Sequence, residues 1–212
     1  MKPLLTHPLH LAPISLYAQM YTSQRIIIDD VSPFVKQTYR NRCIIATENG
    51  AQQLTIPVIH NGIQIMRDVR ISEHGNWRHR HWNAIVSAYK KSPFFDYYAD
   101  DFAHFYEERD GFLIDLNLRL HNIVEELLGL KHDITMLSAA CSDNDYTDIR
   151  KFAEPADTNR IPNFKLQEYY QVFALRNGFI ANLSIVDLLF NMGPEGLIIL
   201  RDSKKIASTE TE

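Results

Sequence analysis

The hydrophobic pattern of the first thirty residues predicts a strand, a helix and a second strand in close succession. Leu4 to Leu9 is a short apolar segment typical of a buried strand, and Pro13 then opens a helical stretch from Ile14 to Tyr21. Arg25 to Asp29 is rich in β-branched residues and ends in an acid, which favours a second strand. Because this succession is typical of a βαβ unit, we expect the two strands to pair in parallel.

A β-hairpin is predicted next, since two apolar runs flank a strong turn signal. Arg42 to Thr47 and Gln53 to Ile59 lie on either side of Glu48-Asn49-Gly50, and Asn-Gly supplies the positive φ angles of a type I′ turn. Pro57 places the second run at a sheet edge or near a bulge. Met66 to Ile71 alternates apolar and charged residues and predicts a further, half-exposed strand.

Three helices are predicted in the middle of the chain. The first begins at Trp77, where buried-type residues recur at helical spacing up to Ala88, and the second covers Asp96 to Glu108. The third runs from Phe112 to Leu127 along a continuous apolar stripe and ends at Gly129, the usual place for a C-terminal glycine.

The last third of the chain is less regular. Residues 141–168 are mostly polar and predict a long loop, whereas Ser184 to Asp187 has the spacing of a capping box and predicts a helix that ends before Gly193-Pro194. Residues 203–212 predict a flexible tail. The expected fold class is α/β, with an N-terminal βαβ unit, a mixed sheet and hairpin, a helical middle and a C-terminal capped helix, in a single domain of residues 1–202.

The composition and net charge of the chain limit the kinds of partner that it is expected to bind. The 212 residues are 45% hydrophobic with a formal net charge of −4, so we expect a globular protein that does not take nucleic acid as its main partner. No apolar run approaches the ~20 residues of a membrane span. The N-terminus lacks a clean signal peptide, so we expect a cytoplasmic protein in which Cys43 and Cys141 are reduced. The cofactor and the oligomeric state are unknown from the sequence.

The polar residues between Asp29 and Arg42 form the leading candidate site. Ligands of parallel sheets bind beyond the carboxyl ends of the strands, which is where Asp29 and Asp30 are expected. Two guanidinium groups, Arg40 and Arg42, follow closely and could hold a phosphate or carboxylate in bidentate fashion. The alternative is a surface cluster in which loop acids pair with exposed arginines.

Two further groups are weaker candidates. His79 and His81 diverge by about 200° on a helix and cannot share a metal there, so no metal site is predicted. His81 is either a buried, hydrogen-bonded histidine or a ligand-facing one. Asn182, Ser184 and Asp187 surround a helix start, which suits an anion, or they merely cap the helix. The sequence contains no HExxH, Walker loop, GxGxxG or GxSxG motif.

Taken together, several segments resemble the WbqC-like family of bacterial proteins. The similarity covers most of the chain outside residues 130–168, and is carried by HLAPISLYAQM, IIIDDVSPFVKQTYRNRC, LTIPV, RDVRI, the Trp77–Trp82 helix with SAYKKSPFFDYY, and GFIANLSIVDLLFNMGPEG. The chain departs from longer members at 141–168, where their tyrosine- and glycine-containing stretch is short or missing. The order of strand, Pro13 turn, helix and acid-ended strand is also similar to the layout of the α/β nucleotidyltransferases, without their His-x-Gly-His.

The resemblance implies a role in surface-polysaccharide synthesis, because the family occurs among genes for O-antigen and related polymers. It implies a transferase that moves glycine or another amino acid onto a phosphorylated or nucleotide-linked sugar. The expected catalytic residues are Asp30, His81 and Asp187. The expected substrate-binding residues are Asp29, Lys36, Tyr39, Arg40, Asn41, Arg42, Asn182 and Ser184. The alternatives are a non-catalytic module that binds a nucleotide-sugar or a polysaccharide complex and, more weakly, a degenerate nucleotidyltransferase.

Overall fold

The strands and helices were identified in a computed structural model, which describes residues 2–59, 62–109, 111–139, 145–155, 161 and 164–203. The strands are β1 (Leu4–Thr6), β2 (Arg25–Ile28), β3 (Arg42–Thr47), β4 (Gly50–Thr55), β5 (Asp133–Met136) and β6 (Thr147–Asp148). The helices are α1 (Ile14–Met20), α2 (Trp77–Tyr89), α3 (Phe95–Glu107), α4 (Leu113–Leu128), α5 (Ala174–Asn177), α6 (Ile185–Met192) and α7 (Gly196–Asp202). Every described helix is too short or too polar to cross a lipid bilayer.

A four-stranded parallel sheet of order β5-β2-β1-β6 forms the centre of the fold. The predicted βαβ unit is therefore confirmed, and the α/β class with it. Thr6 is paired with Ile28, and Ile28 with Met136, so these three strands end at the same level. The residues that follow them consequently leave the sheet along one edge, which we call the carboxyl edge.

Helix α6 lies in the middle of the helical layer. Its residues from Ile185 to Asn191 are all buried. The ring of Phe190 meets the rings of Tyr89, Phe95 and Phe102 at centroid distances of 5.2, 5.1 and 5.4 Å. The helix that the sequence predicts as a capped C-terminal element is thus a central packing element against α2 and α3.

The hairpin of β3 and β4 is confirmed, and it forms a two-stranded sheet of its own. Its turn differs from the prediction. The positive φ angle falls on Gly50 (+99°), whereas Glu48 and Asn49 both have negative φ. A type I turn followed by a glycine in the left-handed region explains this, so the predicted type I′ turn is wrong.

The strand predicted from Met66 to Ile71 is also wrong. Met66–Asp68 is a 3₁₀ turn, and the buried positions are Met66, Val69 and Ile71. The first spacing of three suits a 3₁₀ turn, and the backbone then bonds across to the start of α4, with Leu113 N donating to Val69 O. Hydrogen bonds to distant residues therefore take the place of the strand pairing that the alternation of apolar and charged residues predicts.

The polar stretch 141–168 is described at residues 145–155, 161 and 164–168. It contains β6 and a 3₁₀ turn at Arg150–Ala153, which the sequence pattern does not predict. Cys141, the remainder of that stretch and the tail from residue 204 lie outside the described residues.

Candidate functional site

A cluster of charged side chains lies at the carboxyl edge of the parallel sheet. His7 directly follows β1, Asp29 directly follows β2, and Asp148 ends β6. We call this group the sheet-edge cluster; its members are His7, Asp29, Arg40, Asp148, Arg150 and Glu154.

Asp29 is the buried centre of the cluster, with 0% of its surface exposed. Its carboxylate accepts hydrogen bonds from Ser32 Oγ at 2.5 Å, Ser32 N at 2.9 Å and Val31 N at 3.2 Å. Arg150 Nη1 lies 2.7 Å from Oδ2. Burial alone raises the pKa of Asp29, but the hydrogen bonds from Ser32 and Arg150 outweigh it and hold the pKa below its ordinary value. The group is therefore a carboxylate at neutral pH.

His7 is buried between Arg40 and Asp29. Its Nε2 lies 2.5 Å from Arg40 Nη2, and because a guanidinium can only donate, Nε2 must accept. A neutral ring then carries its proton on Nδ1, which faces Asp29 Oδ2 at 3.7 Å. Burial, reinforced by the charge of Arg40, lowers the pKa of His7 to about 4. The imidazole is therefore neutral at pH 7, with Nε2 held by Arg40 and Nδ1 facing Asp29 beyond hydrogen-bond distance.

The two arginines of the cluster are held by carboxylates. Arg40 Nη1 donates to Thr38 Oγ1 at 3.0 Å and to Glu154 Oε1 at 3.2 Å. Arg150 grips Asp148 in bidentate fashion, with Nε at 3.0 Å and Nη2 at 2.7 Å, while its Nη1 reaches Asp29. Arg150 therefore bridges the ends of β2 and β6.

Helix α4 holds the two loops of the cluster together. Asn117 Nδ2 donates to Pro8 O at 3.0 Å and to Arg40 O at 2.7 Å. These two carbonyls belong to the loop after β1 and the loop before β3. Their common donor fixes the separation of His7 and Arg40.

An open cleft of about 450 Å³ lies over the cluster. Among the charged residues that line it, three are cationic (Arg40, Arg150 and Lys151) and two are acidic (Asp148 and Glu154). Such a lining suits a small anionic or zwitterionic molecule, since a guanidinium can exchange a carboxylate partner for a phosphate.

Some of the candidate residues predicted between Asp29 and Arg42 belong to the sheet-edge cluster, and others do not. Asp29 and Arg40 join the cluster. Asp30 is buried next to it, but its carboxylate accepts from Ser138 N at 2.9 Å and Ser138 Oγ at 2.5 Å, towards the end of β5. Lys36 is exposed on the loop.

The remaining members of the predicted anion loop turn away from the cluster. Tyr39 is buried in the core, and Asn41 Nδ2 donates to Ile56 O at 2.9 Å. Arg42 belongs to β3, where its Nη1 donates to Gln53 Oε1 at 3.0 Å across the hairpin. The structure therefore brings Arg40 to the cluster and Arg42 to the hairpin surface.

The candidates near α6 have structural partners elsewhere. Asn182 Oδ1 accepts from Ser15 N at 3.0 Å, at the start of α1, and Ser184 Oγ donates to Leu11 O at 2.7 Å. The predicted capping box is wrong, because neither its serine nor its acid caps α6 through the side chain. Ser184 N and Ile185 N donate to Ile44 O and Ala12 O, so the start of this helix is already hydrogen-bonded.

Asp187 is fully buried among hydroxyl groups. Its carboxylate accepts from Tyr89 at 2.9 Å, from Tyr169 at 2.5 Å and from Gln171 at 3.3 Å. Burial raises the pKa of Asp187 to about 6, although these three donors oppose the rise. The residue ties α2 to the segment before α5.

His81 is likewise buried in a different part of the molecule. Its Nε2 donates to Thr55 O at 3.2 Å, and its ring lies edge-on to Trp77 at 5.0 Å. Burial lowers the pKa of His81 to about 4. As the sequence predicts, Trp77 and His81 share a face of α2.

Sequence reasoning missed four members of the cluster. His7 was missed because the predicted strand, Leu4 to Leu9, runs past it, whereas β1 ends at Thr6. Asp148 ends a strand of two residues, and Arg150 and Glu154 follow it. A strand of this length is too short to leave a periodic signal.

Comparison with known proteins identifies the family of the chain. The model of the WbqC-like protein family matches residues 8–149 and 142–199. The uncharacterized protein Rv1507c of Mycobacterium tuberculosis (strain ATCC 25618 / H37Rv) is 31% identical in an alignment 209 residues long, and the match covers 85% of this chain and 89% of that protein. No solved structure matches the chain, so the nucleotidyltransferase-like layout stays a prediction. The chain belongs to the WbqC-like protein family.

Proposed function

We propose that the protein is a cytoplasmic transferase of bacterial surface-polysaccharide synthesis, which moves glycine or another amino acid onto a phosphorylated or nucleotide-linked sugar. The polysaccharide role comes from the family resemblance. The observation that supports a small-molecule site is the sheet-edge cluster beneath its cleft, because open α/β sheets bind ligands beyond the carboxyl ends of their strands.

The cleft has the size and charge for such a ligand. Its volume of about 450 Å³ falls within the usual range of small-molecule sites. Glu154, whose side chain is 38% exposed, holds Arg40 from the solvent side. A ligand phosphate that displaces Glu154 would keep the charge of Arg40 compensated, and Lys151 would add a second contact at the rim.

His7 is the group best placed to accept a proton in this proposal. Transfer of an acyl group to an amine or hydroxyl requires a base for the attacking group's proton. A phosphate that draws Arg40 away would free His7 Nε2 and place negative charge beside it, which raises the pKa of His7. Asp29, behind Nδ1, would stabilise the resulting imidazolium. Asp30, bonded to Ser138, fits a supporting role.

A non-catalytic binding module is the second candidate. In its favour, Arg40 occupies His7 Nε2 and Arg150 bridges two carboxylates, so each of these reactive groups is already engaged. The degenerate nucleotidyltransferase is weaker. A nucleotide phosphate would have to bind at the start of α1, but the backbone N–H groups there already have acceptors. Ile14 N donates to Leu183 O, and Ser15 N donates to Asn182 Oδ1.

Calorimetric titration with a panel of UDP-, GDP- and dTDP-linked sugars tests the ligand. We expect Arg40→Gln to weaken binding by roughly 30-fold or more, since loss of a buried charged contact costs about 2–5 kcal/mol. Arg42→Gln, two positions further along at the start of β3, is the matched control and should bind normally. Lys151→Gln, at an exposed position, supplies a variant with little risk to folding. Unchanged affinity in folded Arg40→Gln and Lys151→Gln proteins would reject the site.

A transfer assay separates the two functions. The sugar that binds is incubated with isotope-labelled glycine, either free with ATP or as an activated acyl donor, and label in the sugar is counted. Transfer that is lost in His7→Asn, while sugar affinity is kept, supports the transferase. Binding without transfer by any donor supports the binding module.

A further inference from the structure

We propose that His121, Glu125 and His132 form a binding site for a divalent transition metal of the zinc class. His121 and Glu125 are four positions apart on one face of α4, and His132 returns to them after the helix ends. One potential ligand atom from each residue lies within 4.8 Å of the others. This proposal rests on a different part of the chain from the sheet-edge cluster.

The two imidazoles converge on one carboxylate oxygen. His121 Nε2 lies 3.0 Å from Glu125 Oε1, and His132 Nδ1 contacts the same oxygen. A tetrahedral ion with bonds of about 2.0–2.2 Å needs its ligand atoms about 3.3–3.6 Å apart. Small side-chain rotations would therefore bring the three atoms to ligand distances.

The outer nitrogen of each ring has a hydrogen-bond partner, and for His132 it is a backbone carbonyl, as is usual for metal-bound histidines. His132 Nε2 lies 3.0 Å from Met20 O, and since a carbonyl only accepts, this nitrogen carries the proton. His121 Nδ1 lies 3.0 Å from the hydroxyl of Tyr17, which can accept as well as donate. Both rings can thus present a bare inner nitrogen to an ion while a second contact holds their orientation.

With the tautomer that His132 adopts, its contact with Glu125 is unfavourable unless a cation lies between them. When the neutral ring donates Nε2–H to Met20, its Nδ1 is an acceptor that faces an acceptor oxygen of Glu125. Two acceptors in contact repel each other. Either a second proton on the ring or a metal ion between the two atoms removes the repulsion.

The donor set selects the metal class. Two imidazoles and one carboxylate suit zinc and are poor for magnesium or calcium, which prefer oxygen. Three protein ligands leave a fourth position for water or another ligand. A narrow cavity is lined by both His7 and His121, so one residue of the proposed metal site and one of the sheet-edge cluster face the same space.

Titration of chelator-treated protein with Zn²⁺ tests the site. We expect one ion per chain, and an affinity lowered by more than roughly 100-fold in His132→Ala and Glu125→Gln, because even loss of an outer partner costs about 10–100-fold. His79→Ala removes an exposed histidine of α2 and is the matched control. Binding by the wild type that survives in both folded ligand variants, or no 1:1 binding at all, overturns the proposal.

X-ray absorption at the zinc edge covers the case in which the variants do not fold. The wild-type complex should show two imidazole ligands with oxygen in the remaining positions. A spectrum with no imidazole, or with a single one, assigns the metal to another place and overturns the proposal.

Discussion

Arg150 Nη1 lies 2.7 Å from Asp29 Oδ2, although the two residues are 121 positions apart. The carboxylate is fully buried, and the guanidinium side chain is 29% exposed. The contact joins the end of β2 to the polar segment that carries β6. The ion pair therefore fixes the position of the loops beneath the cleft, and it also compensates the negative charge of Asp29.

Replacement of Arg150 by methionine should destabilise the protein by about 2–3 kcal/mol, because Asp29 would then be buried without its cation. This range is below that of a fully buried pair, since Arg150 is partly exposed. Urea denaturation measures the change. Arg25→Met, which removes an exposed pair with Asp133, should cost less than about 1 kcal/mol. Equal losses in the two variants would contradict the buried role of Asp29.

The pH dependence of stability should contain a contribution from Asp187 with an unusual sign. Its pKa is raised from 3.8 to about 6 in the folded state, so folding favours the protonated form. The contribution is complete below pH 4 and is lost as the pH rises through about 6, by about 2–3 kcal/mol in total. Carboxylates with lowered pKa, such as Asp29, act in the opposite direction.

Comparison of the wild type with Asp187→Asn isolates that contribution. Between pH 4 and pH 7 the wild type should lose stability relative to the variant, because only the wild type has a carboxyl group at position 187 that ionises. A difference that is flat with pH would show that the carboxyl of Asp187 titrates normally.

Tyr169→Phe should move the same transition to higher pH. The variant loses a hydroxyl that donates to Asp187 at 2.5 Å and thereby lowers its pKa. We expect a loss of about 2–3 kcal/mol at pH 8, where the carboxylate needs donors, and about 1 kcal/mol at pH 4. Tyr170→Phe changes a neighbouring side chain that is 56% exposed and should have little effect at either pH.

Gly193→Ala should destabilise the end of α6 by about 2–4 kcal/mol, because a methyl group adds overlap to a strained backbone angle. The added Cβ would lie 2.5 Å from Cδ1 of Phe94, and φ is +54°. Gly50→Ala is the control, since φ is +99° there but the space around it is open. It should lose about 1 kcal/mol from strain alone. A loss at position 193 no larger than at position 50 would mean that Phe94 moves aside.

The parts of the fold that could be predicted are those that depend on local pattern. β1, α1 and β2 follow from apolar runs near Pro13, and α4 follows from its stripe and Gly129. The strand predicted from Met66 failed because hydrogen bonds to distant residues decided its backbone. For the same reason the pattern gives no sign of β6, which is two residues long and depends on its pairing with β1.

The candidate site was predictable to a similar extent. Asp29 was expected from its place after a strand, and Arg40 from the loop that follows. Arg42 follows Arg40 by only two positions, but it lies on the surface of the hairpin, whereas Arg40 is buried in the cluster. Their spacing in the sequence does not reveal this difference. Arg150 depends on a contact across 121 positions, and no local pattern encodes it.

The start of α1 depends on residues near the other end of the chain. Ser15 N receives its partner from Asn182, 167 positions later, and Ile14 N from Leu183. During synthesis this helix start therefore stays incomplete until Asn182 and Leu183 have left the ribosome. Contacts of such long sequence separation carry a large loop-closure cost, so the start of α1 is expected to become fixed late in folding, after the local pairing of β1 with β2.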